Sequence, residues 1–93
     1  SDVYKRQQRG KVRGEEAQKS REEAGKILAS PDLLPSIRLK LNKFISDSYA
    51  LERNYPKSLE YLKIARDSDP GSKESARLQP WIENMEKIIA GEK

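Results

Sequence analysis

The chain has 93 residues, of which 37% are charged, 34% hydrophobic and 6% aromatic, so it has room for one small domain with a lean core. It contains no cysteine and no histidine, which excludes disulfides, thiol catalysis, cysteine-based zinc sites and histidine general bases. The sequence shows no phosphate-binding loop, no metal-ligand set, no nucleophile–base pair and no apolar run long enough to span a bilayer. We therefore expect a soluble, cytoplasmic protein that is not an enzyme and needs no cofactor.

The excess positive charge lies at the start of the chain. Residues 1–14 carry five basic side chains against one aspartate, whereas residues 15–93 carry fourteen of each sign. We predict a disordered basic arm over 1–14, a helical domain over 15–90 and a short polar tail over 91–93. The first seven residues, SDVYKRQ, resemble a translated sequencing adapter. They would then be an artefact, and the natural N-terminus would lie further upstream.

The first predicted helix runs from Glu15 to Ala29. Two Glu–Lys pairs at i,i+4 spacing favour it, in the order that suits the helix dipole. The sequence Ser-Pro-Asp at 30–32 ends it and offers a cap for the next helix. Its thin apolar face consists of Ala17, Ala24, Ile27 and Leu28.

The second predicted helix starts at Pro31 or Pro35 and ends near Arg53. Two starts remain open because a residue that precedes a proline avoids the helical region. Apolar and small residues recur at helical spacing along one broad face. These residues are Leu34, Ile37, Leu41, Phe44, Ile45, Ser48 and Tyr49.

The third predicted helix is bounded by clear start and stop residues. Asn54 is a suitable N-cap, and Pro56 falls in the first turn, where a missing N–H does no harm. Asp-Pro-Gly at 69–71 ends the helix. The connection to the second helix is so short that the two must pack antiparallel. The main apolar stripe is Leu59, Leu62 and Ala65, widened by Tyr61 and Ile64.

The fourth predicted helix extends from near Ser72 to near Ala90. Pro80 removes one backbone donor, so we expect a kink there or a restart of the helix around Gln79. The apolar stripe has a period of about 3.6 residues. Its members are Leu78, Trp81, Ile82, Met85, Ile88 and Ile89.

Residues 39–70 carry eight side chains in an order and spacing that resemble a tetratricopeptide repeat. These are Ile45, Ser46, Tyr49, Tyr55, Ser58, Leu62, Ala65 and Pro70. Two positions depart from the family pattern: Asn42 stands where a bulky aromatic is common, and Arg53 replaces the glycine of the turn. The resemblance implies an all-α protein of about four helices, with antiparallel hairpins stacked as a short α-solenoid fragment. The fourth helix would then close the stack as a cap packed on the third.

The resemblance also implies a function, namely protein–protein interaction as a scaffold module of a larger repeat protein. Its partner would be another protein or a peptide, held on the groove side of the second helix by Lys40, Lys43 and Asp47. Lys43 matches a lysine that some family members use to hold a peptide carboxylate, but Asp47 stands where they carry an asparagine and would repel that group. Tyr49, Tyr55 and Tyr61 are predicted to pack rather than to contact a ligand. Trp81 is predicted to pack within the cap, with an exposed protein-binding anchor as the alternative.

Two other functions stay open. The chain could be the helical tail of a larger signalling or transcription-regulating protein. The arm QRGKVRG, with Lys19 and Arg21, could instead contact nucleic acid, and its affinity would then fall steeply with salt. The balanced charge of residues 15–93 argues against nucleic-acid binding.

Overall fold

The computed structural model describes residues 2–91, with side chains from Gly14 onward. Four helices follow one another in this part of the chain, with no strand, so the all-α prediction is confirmed. The helices are α1 (Asp2–Leu28), α2 (Pro35–Leu51), α3 (Tyr55–Ser68) and α4 (Lys73–Gly91). Among residues 2–91, no helix combines the length and the apolar character that a membrane crossing requires.

The bounds of α1 differ from the prediction at its start. The helix begins at Asp2 instead of Glu15 and ends at Leu28, one residue before the predicted end. Residues 2–13 are rich in lysine, arginine and glutamine, which have high helix propensities and so allow the helix to extend. The side chains of residues 1–13 lie outside the described residues, as do residues 92–93. The helical backbone of residues 2–14 differs from the disordered arm that the sequence predicts there. The adapter-like origin of residues 1–7 and the polar tail stay predictions.

The turn between α2 and α3 places Arg53 in the left-handed region, with φ of 61°. The N–H of Arg53 donates to the carbonyl oxygen of Ala50 at 3.0 Å, and the N–H of Asn54 donates to that of Tyr49 at 2.9 Å. These two bonds form a Schellman motif, which usually has glycine at the left-handed position. Asn54 then caps α3, since its side chain accepts a bond from the N–H of Lys57 at 3.3 Å. The predicted N-cap is confirmed, and Arg53 adopts the left-handed conformation that glycine usually supplies in this motif.

The turn between α3 and α4 follows the predicted Asp-Pro-Gly stop. Gly71 has a φ of +85°, a conformation that side chains with a Cβ rarely adopt. Ser72 caps α4, since its hydroxyl accepts the N–H of Ser75 at 3.0 Å and donates to the carbonyl oxygen of Asp69 at 2.8 Å. The helix continues through Pro80 without interruption, so the predicted restart around Gln79 is wrong.

The core lies where α2, α3 and α4 meet. Ala65 is fully buried, and its small side chain lets the neighbouring helices approach α3 closely. The buried core cluster consists of Leu39, Leu62, Ala65, Leu78 and Ile82, with Leu59 packed against it.

Two serines close the contact between α2 and α3. The hydroxyl of Ser46 donates to the carbonyl oxygen of Ser58 at 2.7 Å and lies 3.0 Å from the Ser58 hydroxyl oxygen. Both residues are buried, so their polar atoms depend on these bonds for satisfaction. We call the contact formed by Ser46, Ser58, Leu62 and Ala65 the closed seam.

The buried face of α2 matches the predicted one in part, since Ile45 and Ser48 are buried as predicted but two other members are not. Leu34, with 64% of its surface accessible, and Phe44, with 46%, are exposed, although the sequence pattern placed both on the buried face. Leu39 and Asn42 are buried instead, and the Asn42 amide donates to the carbonyl oxygen of Arg38 at 2.9 Å. A pattern based on hydrophobicity leaves out a polar residue such as Asn42, so it does not give the full width of the buried face.

The predicted cap helix packs on the core through only part of its stripe. Leu78 and Ile82 are buried in the core cluster, and Met85 and Ile89 are half-buried. These four positions recur at intervals of three and four residues, which places them on one side of α4. Trp81 and Ile88 lie to the side of this line and are exposed. The prediction that both pack within the cap is therefore wrong.

Candidate functional site

The three residues predicted to bind a partner lie on the exposed side of α2. Lys40 and Asp47 are exposed and Lys43 is half-exposed. The ammonium nitrogen of Lys43 lies 2.9 Å from a carboxylate oxygen of Asp47, one turn further along the helix. The structure therefore joins Lys43 and Asp47 in an i,i+4 ion pair, with Lys40 one turn before it.

Trp81 joins this site from α4. The Lys43 ammonium nitrogen lies 5.5 Å from the centroid of the Trp81 ring, within the range of a cation–π contact. The indole has 60% of its surface accessible, so most of it faces solvent. We call the surface formed by Lys40, Lys43, Asp47 and Trp81 the α2–α4 face.

The α2–α4 face is suited to recognition by its chemistry. It offers an ammonium group, a carboxylate and a broad aromatic ring next to one another. An exposed ion pair contributes about 0.2–1 kcal/mol, and an exposed cation–π contact about 0.5–1 kcal/mol. Because these contacts are weak, a partner can displace them at small cost and use the same groups for its own contacts.

A groove separates α1 from α2 on the other side of Asp47. Its volume is about 550 Å³. Phe44 and Leu51 stand on its α2 wall, two turns apart, and Leu51 has 84% of its surface accessible. We call it the α1–α2 groove; its lining residues are Gly14, Glu16, Ala17, Ser20, Phe44, Asp47, Ser48, Leu51 and Glu52.

Arg21 holds α1 against α2 beside this groove. Its guanidinium donates to the Ser48 hydroxyl at 2.8 Å and to the Glu52 carboxylate at 2.9 Å. The same group lies 4.2 Å from the centroid of the Tyr49 ring, and Tyr49 stacks on Tyr61 with centroids 5.6 Å apart. The Arg21 side chain is only 14% exposed. The residue that we considered as a nucleic-acid contact therefore makes its contacts within the fold.

Two carbonyl groups at the C-terminal end of α1 are bound by Arg38 of α2. Its guanidinium donates to the carbonyl oxygen of Leu28 at 3.3 Å and to that of Ser30 at 2.7 Å. A cation is favourable at this end of a helix because the last carbonyls have no partner within the helix. Two arginines therefore make long polar contacts between α1 and α2; the sequence indicated a different role for Arg21 and none for Arg38.

The residues that carry the repeat resemblance are mostly inside. Five are buried: Ile45, Ser46, Ser58, Leu62 and Ala65. Tyr49 and Tyr55 are half-buried, and Pro70 is exposed in the turn after α3. The stacking of Tyr49 on Tyr61 is the packing role predicted for these two rings. Burial of the seam residues agrees with a tight helical hairpin, and the repeat assignment itself stays a prediction.

A separate ion pair shifts two pKa values on α3. The Arg66 guanidinium donates to one carboxylate oxygen of Asp67 at 2.9 Å and to the other at 3.4 Å. This bidentate bond holds the pKa of Asp67 below its ordinary value and raises the pKa of Arg66. The pair is exposed and lies outside both surfaces defined above. Among the residues with described side chains, no cluster of carboxylates is arranged to hold a metal ion.

Comparison with family models, with curated proteins and with solved structures finds no match to this chain. The α2–α4 face and the α1–α2 groove therefore have to be interpreted from their own geometry and chemistry.

Proposed function

We propose that this chain is a protein-interaction module that binds another protein through the α2–α4 face. The observation that carries the proposal is the exposed indole of Trp81, 60% accessible and placed beside the Lys43–Asp47 ion pair. The resemblance of residues 39–70 to a tetratricopeptide repeat supports the same function. On this proposal the α2–α3 hairpin is one such repeat, and the chain is part of a scaffold located in the cytoplasm.

An exposed tryptophan surrounded by charges is a common feature of binding surfaces. Tryptophan is enriched among the residues whose removal costs most binding free energy, because its large ring buries much apolar area and loses little side-chain freedom. The polar residues around such an anchor exclude water and set specificity when the partner docks. Trp81, Lys43 and Asp47 reproduce this arrangement on a small scale.

The scaffold beneath the α2–α4 face is rigid enough for display. Next to this face α2 is fixed to α3 by the closed seam, where Ser46 and Ser58 are hydrogen-bonded and buried. Trp81 lies between the core residues Leu78 and Ile82 in the sequence of α4, so its position is set by two buried neighbours. Groups held on packed helices keep their geometry better than groups on loops, which lowers the cost of binding.

To test the proposal, the 93-residue chain is immobilised on resin and incubated with a cell lysate. The proteins that it retains are quantified by mass spectrometry. We expect Trp81→Ala to reduce retention of at least one wild-type partner about tenfold or more, as for a binding hot spot. Lys43→Glu, which reverses the charge of the α2–α4 face, is expected to reduce retention of the same partner. Ile64→Ala removes an exposed apolar side chain from α3 and serves as the matched control.

Circular dichroism establishes that each variant is folded before capture. The proposal fails if wild type and Trp81→Ala retain the same proteins in the same amounts. It also fails if wild type retains nothing above blank resin.

A further inference from the structure

The α1–α2 groove leaves two large apolar side chains of α2 without cover. Phe44 and Leu51 are separated by seven residues, which places them on the same side of the helix. Both are exposed, and both line the groove. Contiguous exposed apolar area beside a groove is a feature of interaction sites, because solvent exposure of such area is unfavourable.

The opposite wall of the groove is built from small residues of α1. Gly14, Ala17 and Ser20 recur at intervals of three, so they face the groove in successive turns. Small side chains on one wall and large ones on the other leave an open trough of about 550 Å³. A trough between two helices accommodates a third helix that inserts apolar side chains at i, i+3 or i+4, and i+7.

The charges at the groove select the kind of helix that fits. Three acidic residues, Glu16, Asp47 and Glu52, are among the lining residues. Among the lining residues with described side chains there is no lysine or arginine. Lys43 and Arg21 neutralise part of this charge through their ion pairs with Asp47 and Glu52. Glu16 remains exposed at the groove. A helix that brings further carboxylates here meets repulsion, whereas one that brings cations is attracted.

We propose that the α1–α2 groove binds an amphipathic helix of another protein, with an apolar stripe flanked by lysine or arginine. Phe44 and Leu51 contact the apolar stripe, and the carboxylates of Glu16, Asp47 and Glu52 attract the flanking cations. The inference goes beyond the proposed function because it concerns a second surface and a partner of stated chemistry. The two surfaces share Asp47, so the tests below use Leu51, Glu16 and Trp81 instead.

Two fluorescein-labelled helical peptides of about 18 residues are the probes. Both carry the same leucine stripe, and the residues beside the stripe are lysine in one and glutamate in the other. Fluorescence anisotropy with the 93-residue chain gives the two dissociation constants. We expect the lysine peptide to bind about tenfold more tightly than the glutamate peptide at low salt. The ratio is expected to shrink as salt screens the exposed charges.

Two variants locate the binding site within the groove. Leu51→Lys removes an apolar contact and adds a cation, and we expect it to weaken the lysine peptide about tenfold or more. Glu16→Lys reverses one charge at the groove and is expected to lower the preference for lysine over glutamate. Leu51 and Glu16 are exposed, so both variants are expected to keep the wild-type helix content by circular dichroism.

Trp81→Ala separates this inference from the proposed function. It removes the anchor of the α2–α4 face, and we expect it to leave peptide affinity unchanged. Loss of captured partners in Trp81→Ala, together with equal affinity for the two peptides, would contradict the groove proposal alone.

Three results would overturn the inference. The first is equal affinity of the lysine and glutamate peptides at low salt. The second is unchanged affinity of Leu51→Lys. The third is a wild-type dimer in analytical ultracentrifugation that Leu51→Lys dissociates, because a second copy of the chain would then occupy the groove.

Discussion

The two sides of α2 make very different contacts. Toward α3 the helix presents Ser46, which is buried against Ser58 in the closed seam. Toward α1 it presents Phe44 and Leu51, which line an open groove and stay exposed. The large apolar side chains of α2 are thus divided, because Leu39 and Ile45 are buried whereas Phe44 and Leu51 are exposed on the α1 side.

The difference shows that fit between helices matters more here than the hydrophobicity of single residues. Small side chains let two helix backbones approach closely, and they gain dispersion contacts along the whole closed seam. On the α1 side, contact depends on long polar side chains: Arg21 reaches Ser48 and Glu52, and Arg38 reaches the end of α1. We infer that the α3 side of α2 supplies most of the stability, and the α1 side supplies a surface for recognition.

The largest expected effect compares one leucine from each side. Leu62→Ala creates a cavity in the closed seam, where Leu62 is 3% exposed, and is expected to lower the free energy of unfolding by about 3 kcal/mol. Leu51→Ala is the matched control at the α1–α2 groove and is expected to change it by no more than about 0.5 kcal/mol. Urea unfolding followed by circular dichroism measures both. Similar losses for the two variants would contradict the division between the two sides.

A smaller effect is expected from Arg21→Ala, which removes the main polar link between α1 and α2. The guanidinium loses its bonds to Ser48 and Glu52 and its contact with Tyr49. We expect the free energy of locally unfolding α1 to fall by about 1–2 kcal/mol, since the bonds are charge-assisted but the site is partly open to water.

Hydrogen exchange identifies where that loss falls. Amides of residues 14–28 are expected to exchange faster in Arg21→Ala, while those of α3 keep their wild-type protection. Lys19→Ala, at an exposed position of the same helix, is the control and is expected to leave the exchange pattern unchanged. Equal acceleration in α1 and α3 would show that the two sides of α2 unfold as one unit.

Arg53→Gly is expected to stabilise the protein. Arg53 has a φ of 61° at the end of α2, a conformation that glycine adopts without the clash of a Cβ. Its side chain is exposed, so little is lost on removal. We expect a gain of about 1 kcal/mol, seen as a rise in Tm of about 4–8 °C for a domain of this size. Arg53→Ala keeps the Cβ, and a gain of equal size in that variant would show that backbone strain is not the cause.

Much of the helical framework could be predicted from the sequence, because caps and turns are local. Asn54 and Ser72 cap α3 and α4 within three residues of the groups they bind. Gly71 lies in the turn before α4 because its positive φ suits a residue without a Cβ, which the residue type alone indicates. On α3 the apolar stripe correctly places Leu62 and Ala65 inside, whereas Ile64 of the same predicted stripe is exposed.

The rest depends on neighbours that are distant in the sequence. The i,i+4 spacing of Lys43 and Asp47 indicates an ion pair, but nothing near either residue indicates that Trp81 lies beside them. The apolar pattern of α2 identifies the buried Ile45, but it does not identify Asn42, which is buried with a hydrogen bond to its own helix. The α1–α2 groove forms only when the two helices pack together. The sequence shows that Phe44 and Leu51 are apolar, but it does not show that they line a groove.

The smallest expected effect concerns Asp67, at an exposed edge of α3 away from both sides of α2. Its pKa is lowered by the bidentate bond from Arg66, so the carboxylate contributes stability that is present above the unfolded-state pKa. That contribution is lost as pH falls through the lowered folded-state pKa. In a ¹³C NMR titration, we expect the Asp67 carboxyl to titrate below the ordinary range, and Arg66→Gln to return it toward that range. The pair is exposed and screened by water, so Asp67→Asn is expected to leave Tm at neutral pH almost unchanged. A large fall in Tm for that variant would mean that a polar contact outside α2 carries stability that we assign to the closed seam.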